Sequence, residues 1–113
     1  MADACLFCRM VSGEIPVAKV AENDHCLAFR DISPQAPHHI LVIPKAHTTS
    51  LNDVADHAIV AQLSAMAVEI AKAEGFAVAG YRTVMNTNRD GGQSVFHLHM
   101  HLMGGRQMAW PPG

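Results

Sequence analysis

The stretch His97-Leu98-His99-Met100-His101-Leu102-Met103 alternates an imidazole with an apolar side chain along its length. A β-strand sends successive side chains to opposite faces. The alternation therefore predicts a strand, over Phe96 to Met103, with Leu98, Met100 and Leu102 in a core and His97, His99 and His101 together on the other face. Alternate residues of a strand stand about 6.6 Å apart, close enough for the protonation of one ring to be felt by the next. Repulsion between like charges opposes charging every ring and favours an uncharged middle one, which keeps a nitrogen lone pair for nucleophilic attack.

Neutral imidazoles at alternate strand positions can also hold a metal, so the triad alone leaves two chemistries open, metal binding and attack on phosphorus. The preceding segment Asn86-Thr87-Asn88-Arg89-Asp90-Gly91-Gly92-Gln93-Ser94 favours the second. Its glycines allow backbone N–H groups to approach an anion closely, and Ser94 adds a hydroxyl donor. A phosphate cradle placed just before a row of imidazoles points to phosphoryl or nucleotidyl transfer.

Upstream, the polar trio Glu22-Asn23-Asp24 lies between Val20 and Leu27 and predicts a hairpin turn joining two strands within residues 17–30. Ile40-Leu41-Val42-Ile43, bounded by Pro37 and Pro44, is apolar without alternation and predicts a central strand covered on both faces. From Asn52 to Glu74, Ile59, Leu63, Met66 and Ile70 recur at helical spacing, with Asn52 as the expected N-cap and Gly75 as the left-handed stop. A further strand is expected over Tyr81 to Met85, and Trp110-Pro111-Pro112-Gly113 reads as an extended tail. Strand pairs with short turns and one long helix give an α+β fold, a helix packed on an antiparallel sheet.

The 113 residues suit one domain, and half are hydrophobic, enough for one core. Eight basic against ten acidic residues give a net charge of −2, so nucleic acid is not an expected partner. No stretch is long and apolar enough for a membrane span. Cys5, Cys8 and Cys26 are too few for a disulfide framework, and Cys26, inside an apolar run, reads as a buried small hydrophobe. A cytoplasmic location is expected.

The pattern at His97 to Met103 resembles that of the histidine triad (HIT) family. The similarity extends through Cys5-Leu6-Phe7-Cys8, Gly13-Glu14-Ile15-Pro16, the segment from Phe29 to Pro37, Gly91-Gly92-Gln93-Ser94 and the terminal Trp-Pro-Pro-Gly. It is closest to the Hint branch, homodimeric purine nucleoside phosphoramidases. The resemblance implies a single HIT domain over residues 1–113. Its sheet of about five antiparallel strands carries one long helix and a short N-terminal helix, and continues across the dimer. It also implies that a purine nucleotide is substrate or product, that no cofactor is needed for catalysis, and that the products are a nucleoside monophosphate and an amine.

By the same resemblance His99 is the nucleophile, forming a nucleotidyl-histidine. His101 contacts the phosphate oxygens, His97 orients His99, and His39 assists while His38 points away. Asp31 accepts from the ribose hydroxyls, and Leu6, Phe7, Phe29, Ile32 and Leu41 wall the base. Asn86, Gly92, Gln93 and Ser94 sit on the phosphate side, with Ser94 donating to the leaving atom. Cys5 and Cys8 with His47 and His97 form a set able to hold a structural zinc. Hydrolysis of dinucleoside polyphosphates, and a non-catalytic nucleotide-binding or scaffold role, stand as alternatives.

Overall fold

In a computed structural model of the protein, which describes residues 4–113, Asn23 makes the first turn. Its Oδ1 accepts the backbone N–H groups of His25 and Cys26 at 2.9 and 2.8 Å, so β1 (Lys19–Glu22) folds back on β2 (Cys26–Arg30). The remaining elements are α1 (Leu6–Val11), β3 (His38–Pro44), α2 (Ala58–Ala73), β4 (Tyr81–Val84), α3 (Asn88–Gly91) and β5 (Met100–Gly104). The strands form one antiparallel sheet in the order β1-β2-β3-β5-β4, with β3 at its centre.

Burial on both faces explains why β3 is apolar without alternation. Ile40 and Val42 join Leu98, Met100 and Leu102 against Leu63, Met66 and Ile70 of α2. On the opposite face Leu41 and Ile43 join Leu27 and Phe29 beneath Phe7 of α1. Each such side chain, buried fully, stabilises the fold by about 1.5–3 kcal/mol. Gly104 lets Phe76 close the α2 layer, since a Cβ there would collide with the ring. The expected α+β architecture, a five-stranded antiparallel sheet with one long and one short N-terminal helix, is the one observed.

Several boundaries differ from the sequence reading, each for a local reason. The long helix starts at Ala58, because Leu51–Asp53 forms a separate 3-10 turn capped by Ser50 and Val54 is extended, which interrupts the helix. Asn52 is therefore inside that turn and caps nothing, whereas Gly75 does take the left-handed conformation expected of it. The last strand begins at Met100, not Phe96, and β4 stops at Val84. Beyond the Val42–Met100 pair, β3 reaches Pro44, which has no N–H to continue a ladder. The Pro44 carbonyl instead accepts the Nε2–H of His97 at 2.8 Å, and the Leu98 N–H turns to the Thr48 carbonyl at 2.7 Å. The alternation of faces survives although regular pairing does not, since Leu98 packs on the α2 side while the rings of His97 and His99 meet Phe7 on the other. Cys26 is buried, as expected of a small hydrophobe, and burial pushes its thiol up.

Candidate active site

A cavity of 570 Å³ opens on the α1 side of the sheet. Its inner wall is apolar, with Phe7, Phe29 and Leu41, while Asp31, Ser94, His99 and His101 supply the polar end. Leu6 and Ile32 also line it, and Ile32 is almost wholly exposed at the mouth. An apolar hollow of this volume with a few convergent polar groups is the common form of a small-molecule site.

His99 is buried and rigidly aimed. Its Nδ1 lies 2.7 Å from the His97 carbonyl, which can only accept, so Nδ1 carries the proton and the uncharged ring has its lone pair on Nε2. Phe7 packs edge-on at 5.1 Å and fixes the plane of the ring. His97 thus orients His99 through its main chain and not through its imidazole.

His39 and His101 form a second, directional arrangement. The Gln35 N–H donates to His39 Nδ1 at 3.0 Å, so the uncharged His39 ring bears its proton on Nε2. That proton is given to His101 Nδ1 at 2.9 Å, which leaves the Nε2–H of His101 as the donor available to the cavity. Burial, reinforced by the neighbouring His99 and His39, pushes His101 down to about 4 against the pull of Asp31. Burial also lowers His39, again opposed by Asp31. Both rings are therefore neutral near pH 7, as the donor chain requires. The adjacent His38 faces the other way, stacked on Phe76 at 4.6 Å with Nδ1 3.2 Å from Glu74.

Asp31 divides its carboxylate. Oδ1 closes a turn by accepting the Ser33 N–H at 2.8 Å, while Oδ2 stands 3.5 Å from His39 Nε2. Asp31, His39 and His101 could be counted as a metal triad, yet the proton on His39 Nε2 removes the lone pair that a metal needs there.

The remaining triad histidine turns toward the N-terminus. With its Nε2–H held by Pro44, His97 directs the Nδ1 lone pair at Cys5 Sγ (3.3 Å), Cys8 Sγ (3.5 Å) and His47 Nδ1 (3.2 Å). Cys8 Sγ is also 3.3 Å from His47 Nδ1. Zinc bonds of about 2.3 Å to sulfur and 2.0–2.1 Å to nitrogen imply tetrahedral edges of roughly 3.3–3.4 Å between nitrogens and about 3.5 Å between nitrogen and sulfur. The observed separations match those edges, so the residues fit a zinc ion, and the Pro44 carbonyl supplies the outer hydrogen bond typical of a metal-bound histidine. Burial lowers His97, the direction that keeps its nitrogen available.

The glycine segment is built differently from the expected cradle. Gly92, at φ +83°, terminates α3, and its N–H donates to the Arg89 and Asn88 carbonyls. The Gln93 N–H also goes to Asn88. The Gln93 side chain accepts the Asn88 N–H at 2.9 Å and donates to the Thr49 and Val95 carbonyls at 2.7 and 3.1 Å. Asn86, Gly92 and Gln93 lie outside the cavity lining, and Gln93 instead ties the Ser94 loop to the loop carrying His47. The backbone groups of Pro44, Gln35 and Thr48 were invisible to a reading of side-chain motifs. Only Pro44, as a residue unable to continue the ladder, left a signal.

A family profile described as the HIT domain matches residues 12–108. The chain belongs to the HIT family. Across 110 residues, 96% of this HIT chain and 92% of the relative, it is 49% identical to the purine nucleoside phosphoramidase of Escherichia coli strain K12. The crystal structure of a HIT family hydrolase from Legionella pneumophila superposes with a TM-score of 0.93 at 53% identity, covering 96% of this chain and 99% of that one. A zinc-bound histidine triad family protein from Mycobacterium smegmatis superposes at 0.85 with 34% identity, over 94% and 78% of the two chains. Among the described residues, no helix of this HIT protein is long and apolar enough to cross a membrane.

Proposed function

We propose that the protein hydrolyses the P–N bond of purine nucleoside 5'-phosphoramidates, giving a nucleoside monophosphate and an amine through a covalent nucleotidyl-His99. The observation that carries this reading is the bond from His99 Nδ1 to the His97 carbonyl, which leaves Nε2 as a lone-pair nucleophile at the polar end of an apolar cavity. The name of the E. coli relative supplies the substrate class.

In the first step His99 Nε2 attacks phosphorus and the P–N bond breaks. The departing nitrogen takes the proton donated at Ser94 and leaves as the amine. Water then attacks the same phosphorus, the P–Nε2 bond breaks, and the water proton replaces the one the amine removed. Splitting one displacement in two lowers each barrier. The Nε2–H of His101, aligned by His39, donates to the phosphate oxygens as charge builds on them. Asp31 Oδ2 accepts from the ribose, and Phe7, Phe29, Ile32 and Leu41 enclose the base. Asn86, Gly92 and Gln93 act on the phosphate side from outside the cavity lining, with Gln93 holding the Ser94 loop in place.

Cys5, Cys8, His47 and His97 hold a structural zinc, which contributes folding energy and takes no part in the displacement. A single HIT domain, assembled as a homodimer in the cytoplasm, completes the reading. The test is a matched pair of substrates, adenosine 5'-phosphoramidate and a diadenosine polyphosphate, incubated without added metal. Faster turnover of the phosphoramidate is expected. Preferential cleavage of the polyphosphate would move the protein to that chemistry, and tight binding without turnover would make it a nucleotide-binding module.

A further inference from the structure

The segment Cys5-Leu6-Phe7-Cys8 belongs to two sites at once. Its outer residues are half of the candidate metal set, and the two they enclose line the cavity. Phe7 is the buried residue of α1, with its ring 5.1 Å from His99, 5.8 Å from His97 and 5.7 Å from Phe29. A helix of six residues is far too short to persist without tertiary support. Its attachment is therefore supplied by Phe7, with Met10 and Val11 packed against the same cluster, and by whatever Cys5 and Cys8 bind.

The other two ligands are wired to the cavity in the same manner. The carbonyl of His97 aims His99. Beside His47, the Thr48 carbonyl accepts the N–H of Leu98 at 2.7 Å, between the two histidines. One residue further, the Thr49 carbonyl accepts from Gln93, whose second donation holds Val95 next to Ser94. Every candidate metal ligand is thus within two residues of a group that shapes the cavity or aims a side chain into it.

From this we infer that the metal cluster and the nucleotide pocket are thermodynamically linked: metal held by Cys5, Cys8, His47 and His97 tightens nucleotide binding, and nucleotide tightens metal binding. The cluster fixes α1 and the loops carrying His47 and His97 in the conformation that nucleotide requires. Without metal, part of the ligand's interaction energy goes into ordering those segments, and its apparent affinity falls. The coupling is reciprocal, so the same factor must appear in both directions; roughly tenfold is expected for a coupling of ordinary size.

The inference rests on the nucleotide reading of the cavity, and its test separates the two. AMP affinity is measured by calorimetry on zinc-loaded and chelator-stripped protein, and zinc affinity by chelator competition with and without saturating AMP. The expected result is a roughly tenfold gain in each, by one common factor. Sequestration of zinc by AMP itself would lower apparent zinc affinity, the opposite sign. Equal AMP affinities with unchanged zinc affinity would overturn the linkage and leave the nucleotide site standing, whereas no AMP binding to either form would overturn both.

Hydrogen exchange gives a readout that does not depend on the affinity measurements. Stripping zinc should raise exchange at Leu6–Val11 and at residues 47–49 and 97–99, and AMP should partly reverse it, while β2 and β3 stay protected. Exchange rising uniformly across the sheet would mean global unfolding and would contradict a local link.

Discussion

At one end of the site a backbone carbonyl, that of Pro44, takes the Nε2–H of His97 and turns its Nδ1 lone pair toward Cys5, Cys8 and His47. At the other a backbone N–H, that of Gln35, takes the Nδ1 lone pair of His39 and turns its Nε2–H toward His101. The side chain is the same, but the partner on the far nitrogen reverses what the near nitrogen offers. A lone pair suits a metal and a proton suits a phosphate oxygen. His99 stands between, its Nδ1–H on the His97 carbonyl and its Nε2 lone pair available to an electrophile such as phosphorus.

The contrast can be broken most visibly by removing a donor. His101→Ala should lower kcat about 10²–10³-fold, the usual effect of deleting one preorganised donor to a developing oxyanion, with KM changed far less. A parallel drop in affinity alone would mean that His101 only binds.

Metal content tests the same contrast from the other side. Cys8→Ser should lose nearly all bound zinc, while His39→Ala retains it, as read by elemental analysis of freshly purified protein. Zinc lost equally in both would show that the Asp31, His39 and His101 cluster takes metal after all.

A pH titration sharpens the distinction further. Unfolded histidine titrates near 6.5, whereas burial pushes folded His101 down to about 4 and lowers His39 as well. Between those values the unfolded chain binds more protons, so stability is full above about pH 6.5 and falls as pH drops toward about 4. Denaturant unfolding in Cys8→Ser, where metal release does not contribute, should show this slope, and adding His101→Asn should make it shallower while His39 and His97 keep their share. The smallest effect belongs to His38→Thr. This neighbour of His39 is packed on Phe76, so kcat is expected to stay within about twofold, as for a substitution outside the reacting groups.

The sequence carried the faces of the sheet well, because alternation and apolar runs follow directly from strand geometry. Leu98, Met100 and Leu102 reach the α2 layer although residues 97–99 are not in the regular strand. Where side-chain pattern stopped and backbone accounting began, legibility ended. Nothing in Asn52 reveals that Ser50 caps a separate turn, and nothing in Gly91-Gly92 reveals that the following N–H groups close α3. The triad's residues were visible as a row, but its division between metal and phosphate sides depends on the Pro44 carbonyl and the Gln35 N–H, which belong to distant parts of the chain.

Rapid quenching of the reaction with adenosine 5'-phosphoramidate, followed by mass spectrometry of the digested protein, reads the nucleophile directly. An adenylyl group on Nε2 of His99, formed in the burst and lost with turnover, is the predicted result. The same adduct on His97 or His101, or steady turnover with no adduct trapped on any histidine, would contradict the account.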